Sequence, residues 1–145
     1  MNTTFSGSPY PVGSRRPGGV SKQVDGQVIR AVVDDFYHAA RRDSDLGPVF
    51  DAHVEDWDRH LETMRTFWAT VLLGGRNYSG NPFLKHLAVP ELSAEHFRKW
   101  LALFSETLAK HCDPADAAAW EVTARRMGFA MSSRLGFRQI EDLLS

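Results

Sequence analysis

Six histidines, a single cysteine and scattered carboxylates are the groups in this chain able to bind a metal or move a proton. Their spacing excludes several arrangements. A di-iron carboxylate bundle places Glu-x-x-His pairs on facing helices. The residues three before the histidines are instead Asp35, Phe50, Trp57, Phe83, Ser93 and Leu108. A hemerythrin-like site would want carboxylates four residues after its histidines, where the chain has Arg42, Trp57, Met64, Pro90, Trp100 and Ala115. Cys112 stands beside His111 without a glycine-rich nucleophile turn or an orienting acid, so its expected role is that of a small residue at a helix end. Gly74-Gly75 follows a helical pattern, whereas a phosphate-cradling loop follows a strand.

His86 is placed differently. It lies in NPFLKHLAVP, residues 81–90, on a helical stub walled by Pro82 and Pro90. Helices shorter than about a dozen residues are marginal by themselves. Such a stub owes its order to packing or to a ligand, and an imidazole on it is a candidate for holding one. Three further polar groups are expected to face the same interior. His60 is three residues after Trp57 and four before Met64, on the apolar side of a long helical stretch, and a buried imidazole costs desolvation unless its hydrogen bonds are used. Tyr37 follows Phe36 along another helix, and its hydroxyl needs a partner. Trp100 brings an indole N–H, a donor only, to a third. Singly, each is most simply a satisfied core residue. Together they suit a core built around a bound diatomic, carried by an iron porphyrin that His86 holds.

Helical periodicity supplies the elements that must position these groups. Val24, Val28, Ile29, Val32, Val33 and Phe36 predict a helix over 22–42. Asp45-Leu-Gly-Pro48 is a turn, followed by a short piece ending at Phe50. Trp57, Leu61, Met64, Phe67/Trp68 and Val71/Leu72 form the stripe of a long helix that stops at Gly74-Gly75. Asn81-Pro82 starts the stub. Ser93 caps the next helix, striped by Phe97, Trp100/Leu101, Phe104 and Leu108. Asp113-Pro114 opens the last, which carries Ala117, Trp120, Ala124, Met127, Met131 and Leu135 and ends at Gly136. Residues 137–145 add a short amphipathic turn. The expected fold class is all-α, with four substantial helices and two short pieces.

The chain as a whole narrows the function classes further. Its 145 residues suit one domain, and a formal charge of −1 gives no general attraction to nucleic acid. No apolar run approaches the length needed to span a membrane. Residues 1–21, rich in Gly, Pro and Ser, are expected to be a flexible tail, and 22–145 the folded domain. The first 19 residues lack the apolar centre of a secretion signal, which makes the cytoplasm the expected location. One cysteine allows neither an internal disulfide nor a CxxCH haem attachment, so a cofactor would be held non-covalently.

The segments FYHAARRDSDLGPVF (36–50), WDRHLETMRTFWATVLLG (57–74), Tyr78-Ser-Gly and PFLKHL…HFRKWLALF resemble the group III truncated haemoglobins, over roughly residues 24–135. The resemblance implies a two-over-two helical globin sandwich binding haem b. It places His86 as the proximal iron ligand and Tyr37, His60 and Trp100 around the bound gas. Phe36, Met64, Phe67 and Trp68 fall at apolar pocket positions, where Trp100 also borders the cofactor. The chain departs from the family in its long N-terminal segment and in a short connection between Phe50 and Trp57.

On this reading the ligands are O2, NO, CO or peroxide. Donors in a low-dielectric pocket slow the escape of O2, which suits a poor transporter but a usable redox site. Turnover of NO or peroxide would need a separate reductase, since no flavin or nicotinamide module is recognisable. Two other classes stand beside it. A haem-free helical interaction module would be colourless when purified. A haem-based redox or gas sensor would need an output domain, for which residues 1–21 are too short.

Overall fold

The computed structural model describes residues 18–74, 85–86 and 88–144. Among them every regular element is helical: α1 (Gly26–Ala40), α2 (Leu46–His53), α3 (Trp57–Leu73), α4 (Ala94–His111), α5 (Pro114–Arg134) and a closing 3-10 turn, Glu141–Leu144. Helix α1 packs on α3, α4 packs on α5, and α1 also lies against α4. Two helix pairs joined through α1 and α4 make the expected two-over-two arrangement.

Local chemistry fixes the helix ends. The Asp25 carboxylate accepts from the Val28 N–H at 3.0 Å and starts α1. Ile29, Val32, Val33, Phe36, Tyr37 and Ala40, spaced along one face, are its buried residues. The Asp43 carboxylate then accepts from the N–H groups of Asp45 (2.8 Å) and Leu46 (2.9 Å), which opens α2. Gly47 is required here by close approach: a Cβ at this position would stand 2.5 Å from the Arg41 carbonyl oxygen. Asp56 caps α3 by accepting from the Arg59 N–H, and Gly74 ends it in the left-handed region at φ 81°. At the start of α4 the Ser93 N–H donates to Nδ1 of His96 at 3.1 Å, so the imidazole does the work an acid would do in a capping box. Asp113 and Pro114 open α5 as their sequence predicts, with the Asp113 carboxylate accepting from the Asp116 N–H.

Aromatic rings fill the space between the two pairs. Phe104 is sandwiched between Trp100 (centroids 4.8 Å, 13°) and Trp68 (5.4 Å, 18°), and Trp120 meets both Trp68 and Phe104 edge-on. Phe36 joins this stack to the neighbouring cluster, with its ring 5.3 Å from Trp100 and 4.9 Å from Tyr37.

The packed body begins earlier than residue 22, so the tail expected over 1–21 is too long at its C-terminal end. Val20 is fully buried. The Ser21 N–H and hydroxyl donate to the two carboxylate oxygens of buried Asp116, at 2.7 and 2.6 Å. A serine bonded to a carboxylate 95 residues away leaves no periodic trace in sequence. The helix expected over 22–42 is correspondingly shorter, because Ser21 to Asp25 serve as its approach and cap. Residues 1–17 lie outside the described residues, as do Tyr78-Ser-Gly, the Asn81-Pro82 start of the stub and Leu87.

Candidate functional site

Tyr37, from the last turn of α1, and His60, from the first turn of α3, meet edge to face with centroids 5.1 Å apart. Phe50 of α2 closes on both, 5.4 Å from Tyr37 and 6.3 Å from His60. Trp57, one turn before His60, lies 5.6 Å from His60 and 5.9 Å from Tyr37. Two ionisable side chains, buried Tyr37 and half-buried His60, are thus held against each other and against the same aromatic rings.

That burial sets their protonation. Burial pushes the Tyr37 hydroxyl far above its ordinary range, so the group remains a neutral O–H donor at every physiological pH. Burial also lowers the pKa of His60, and the positive charge of Lys85 lowers it further. His60 is therefore the neutral imidazole near pH 7, with one N–H and one lone pair. Its Nε2 atom is buried and has no hydrogen-bond partner among the described residues. Three of the other histidines have partners: His53 contacts Glu91, His111 contacts Asp35, and His96 caps α4. Among the described residues Trp120 Nε1 and Ser132 Oγ are also buried without a partner, but of the three only His60 is a titratable group, and it stands against Tyr37, Phe50 and Trp57.

Trp100 reaches this cluster through Phe36 and is fixed by its stack on Phe104. Phe67 and Trp68 are buried, Met64 is half-buried, and Trp68 stands deep in the stack between Phe104 and Trp120. Lys85 and His86 are helical, and the half-buried His86 ring lies 6.0 Å from Phe97, inclined by 31°. Phe97 in turn meets Phe137 beyond α5. The structure therefore joins Tyr37, His60, Phe36 and Trp100 in one continuous set of ring contacts, and pairs His86 with Phe97. Sequence reasoning had not singled out Phe50, Trp57 or Phe97 as site residues. Trp57 and Phe97 were visible only as apolar positions in a stripe and Phe50 only as the end of a short piece, and nothing local distinguishes a ring facing a site from a ring facing core.

Cys112 has no part in this arrangement. Burial pushes its thiol up to about 11, and the nearby Asp116 and Asp113 carboxylates act in the same direction, so it is a poor nucleophile.

Two packed helix pairs, a histidine on a short segment and an aromatic cluster holding polar tips define a globin-type protein. The family model described as bacterial-like globin matches residues 22–132, more than half of the chain. Group 3 truncated hemoglobin of Campylobacter jejuni is 38% identical to it over 89 residues, covering 59% of this chain and 70% of the relative. The crystal structure of group III truncated hemoglobin from Campylobacter jejuni superposes with a TM-score of 0.74 at 30% identity, covering 80% of this chain and 94% of that one. The chain belongs to the bacterial-like globins, among the group III truncated haemoglobins. Membership implies a haem cofactor and small gaseous ligands such as O2.

Proposed function

We propose that the protein holds haem b through His86 and binds O2 and other small diatomic ligands against Tyr37, His60 and Trp100. The single observation that carries this reading is the buried, unpartnered Nε2 of His60 beside a hydroxyl kept protonated by burial. A folded chain rarely strands such an atom without a use for it. The residues present suit the group. His86 offers a nitrogen ligand, and Phe36, Met64 and Phe67 offer apolar surface of the kind a porphyrin buries. Trp68 supports them from the deeper stack.

Haem held by one imidazole supplies a redox-active iron with a position open to O2, NO or CO. What the polypeptide adds is donor chemistry. Tyr37 donates its O–H, and His60 either donates or accepts at Nε2 according to its tautomer. The indole of Trp100 supplies an N–H. Donors in so dry a setting stabilise partial negative charge on a bound ligand and slow its escape. Retention of that kind suits redox use better than oxygen transport.

Turnover of NO or peroxide extends the same reading. His60 moves the proton, and a separate reductase delivers the electrons. No helix of the described residues is long and apolar enough to cross a membrane, and the cytoplasm is the location we propose.

The test is the absorption spectrum of the purified protein, oxidised, reduced and CO-bound, before and after adding hemin. A Soret band that shifts on CO binding is the expected result. Its absence after hemin addition would remove the proposal. Stopped-flow mixing of the O2 form with NO then addresses turnover, with ferric haem and nitrate as the expected products.

A further inference from the structure

One turn outward from Tyr37 and His60, the same two helices present a second pair of side chains in contact. Arg41, the C-cap of α1, is four residues after Tyr37, and Trp57 is three residues before His60 on α3, spacings that keep each on the face of its inner neighbour. The Arg41 guanidinium carbon lies 4.1 Å from the centroid of the Trp57 ring. That ring is itself in contact with Tyr37, His60 and Phe50. Arg41 is exposed and Trp57 half-buried, so the pair forms a solvent-facing edge of the cluster that holds the unpartnered His60 nitrogen.

The backbone beneath this pair is fixed while its side chains can move. Close packing of Gly47 against the Arg41 carbonyl anchors the end of α1, and the Asp56 cap anchors the start of α3. Trp57 is the first residue of its helix, where the N–H makes no intrahelical bond. Turning its indole outward is a side-chain rotation that leaves the helix hydrogen bonds untouched. Arg41, with a long flexible stem on the helix end, holds the ring by a cation–π contact, among the weaker attachments in the fold.

We propose that Arg41 and Trp57 form a latch over the outer edge of the Tyr37–His60 cluster, and that its opening sets the rate at which small ligands reach and leave the site. The inference rests on the haem-binding reading above and assigns the control of ligand access within that site. A closed latch keeps water from Nε2 of His60, and a brief outward swing of Trp57 admits a diatomic without disturbing the stacked core.

The experiment is CO rebinding after flash photolysis of the reduced, haem-loaded full chain. Trp57→Ala should raise the bimolecular rebinding rate by about tenfold, and Arg41→Met by about two- to fivefold, as expected from loss of an exposed cation–π contact. Trp57→Phe, which keeps an aromatic face under the guanidinium, should fall near the parent. Arg41 is exposed, so the Arg41→Met protein folds even if Trp57→Ala does not. In the diamagnetic CO form, relaxation dispersion at the Trp57 indole N–H should report a larger open population in Arg41→Met than in the parent. A CO complex that rebinds at the parent rate in Arg41→Met, with an unchanged indole signal, overturns the latch and leaves haem binding intact. Failure of the parent to form any CO complex overturns both.

Discussion

Replacing Tyr37 by Phe removes one oxygen atom from a position where the surroundings can barely respond. The ring is held on four sides, by Phe36 (4.9 Å), His60 (5.1 Å), Phe50 (5.4 Å) and Trp57 (5.9 Å), so it stays in place when the hydroxyl is lost. The measured effect should therefore be that of a single donor. Neutral hydrogen bonds contribute about 0.5–1.5 kcal/mol and those to charged acceptors about 1.5–3 kcal/mol. A partly charged O2 oxygen falls between, at about 1.5–2 kcal/mol, which corresponds to O2 dissociation about 10- to 30-fold faster. The assay is stopped-flow displacement of O2 by CO, with haem content and thermal unfolding measured on the same samples. Full haem content and an off-rate within about twofold of the parent would refute the argument, because a donor in so dry a pocket cannot contribute so little. The double variant with His60→Leu separates two independent donors from one shared bond: independent donors multiply their effects on the off-rate, and coupled ones do not.

Other consequences are as direct. His86→Ala should strip the protein of its haem or leave a spectrum restored by added imidazole, and an unchanged Soret band would show that another residue holds the iron. Because burial lowers the pKa of His60 in the folded chain, the unfolded chain binds more protons as pH falls below the ordinary histidine value of 6.5. Stability should then be full above that value and decline towards pH 5. Urea midpoints in His60→Leu should lose that part of the slope, and an identical slope in both proteins would contradict the burial argument. Gly47→Ala sets a Cβ against the Arg41 carbonyl oxygen and should cost about 1–3 kcal/mol by urea unfolding, since neither backbone can give way without moving α1 against α2.

The long helices were legible because each buries one stripe of large apolar residues, and their ends were legible where a cap residue stands next to its helix. Asp113-Pro114 and Gly74 are examples. The Ser21–Asp116 attachment was not, because its partners share no element and no period. It moved the boundary of the folded body to before residue 21. For the site, the polar tips could be found by asking which hydrogen-bonding groups sit on apolar faces, and Tyr37, His60 and Trp100 answered. The rings around them could not be sorted in that way. Phe50 and Trp57 stand against the two titratable groups, while Trp120 and Phe104 stand against other rings of the core. All four read alike in an amphipathic pattern, because periodicity reports burial and says nothing of what lies on the other side of the ring.

That distinction also bears on how the pocket divides its labour. The inner wall, from Trp120 through Trp68, Phe104 and Trp100 to Phe36, is a run of overlapping rings in which no member can turn without displacing the next. Interiors packed in this way are stiff. They hold donors in place but offer a ligand no path. Access must come where rings meet solvent through weak and reversible contacts, and the outer edge of the Tyr37–His60 cluster has that character. It is built from the first residue of α3 and an exposed arginine just beyond the end of α1. Substitutions deep in the stack, at Trp68, Phe104 or Trp120, should therefore change stability before kinetics, whereas those at the edge should change the admission and escape of ligands with little cost to the fold. Trp68→Phe against Arg41→Met is the comparison that separates the two, by urea unfolding and CO rebinding measured on each. Equal shifts of both quantities in both variants would mean that the rigid wall and the movable edge are one cooperative unit.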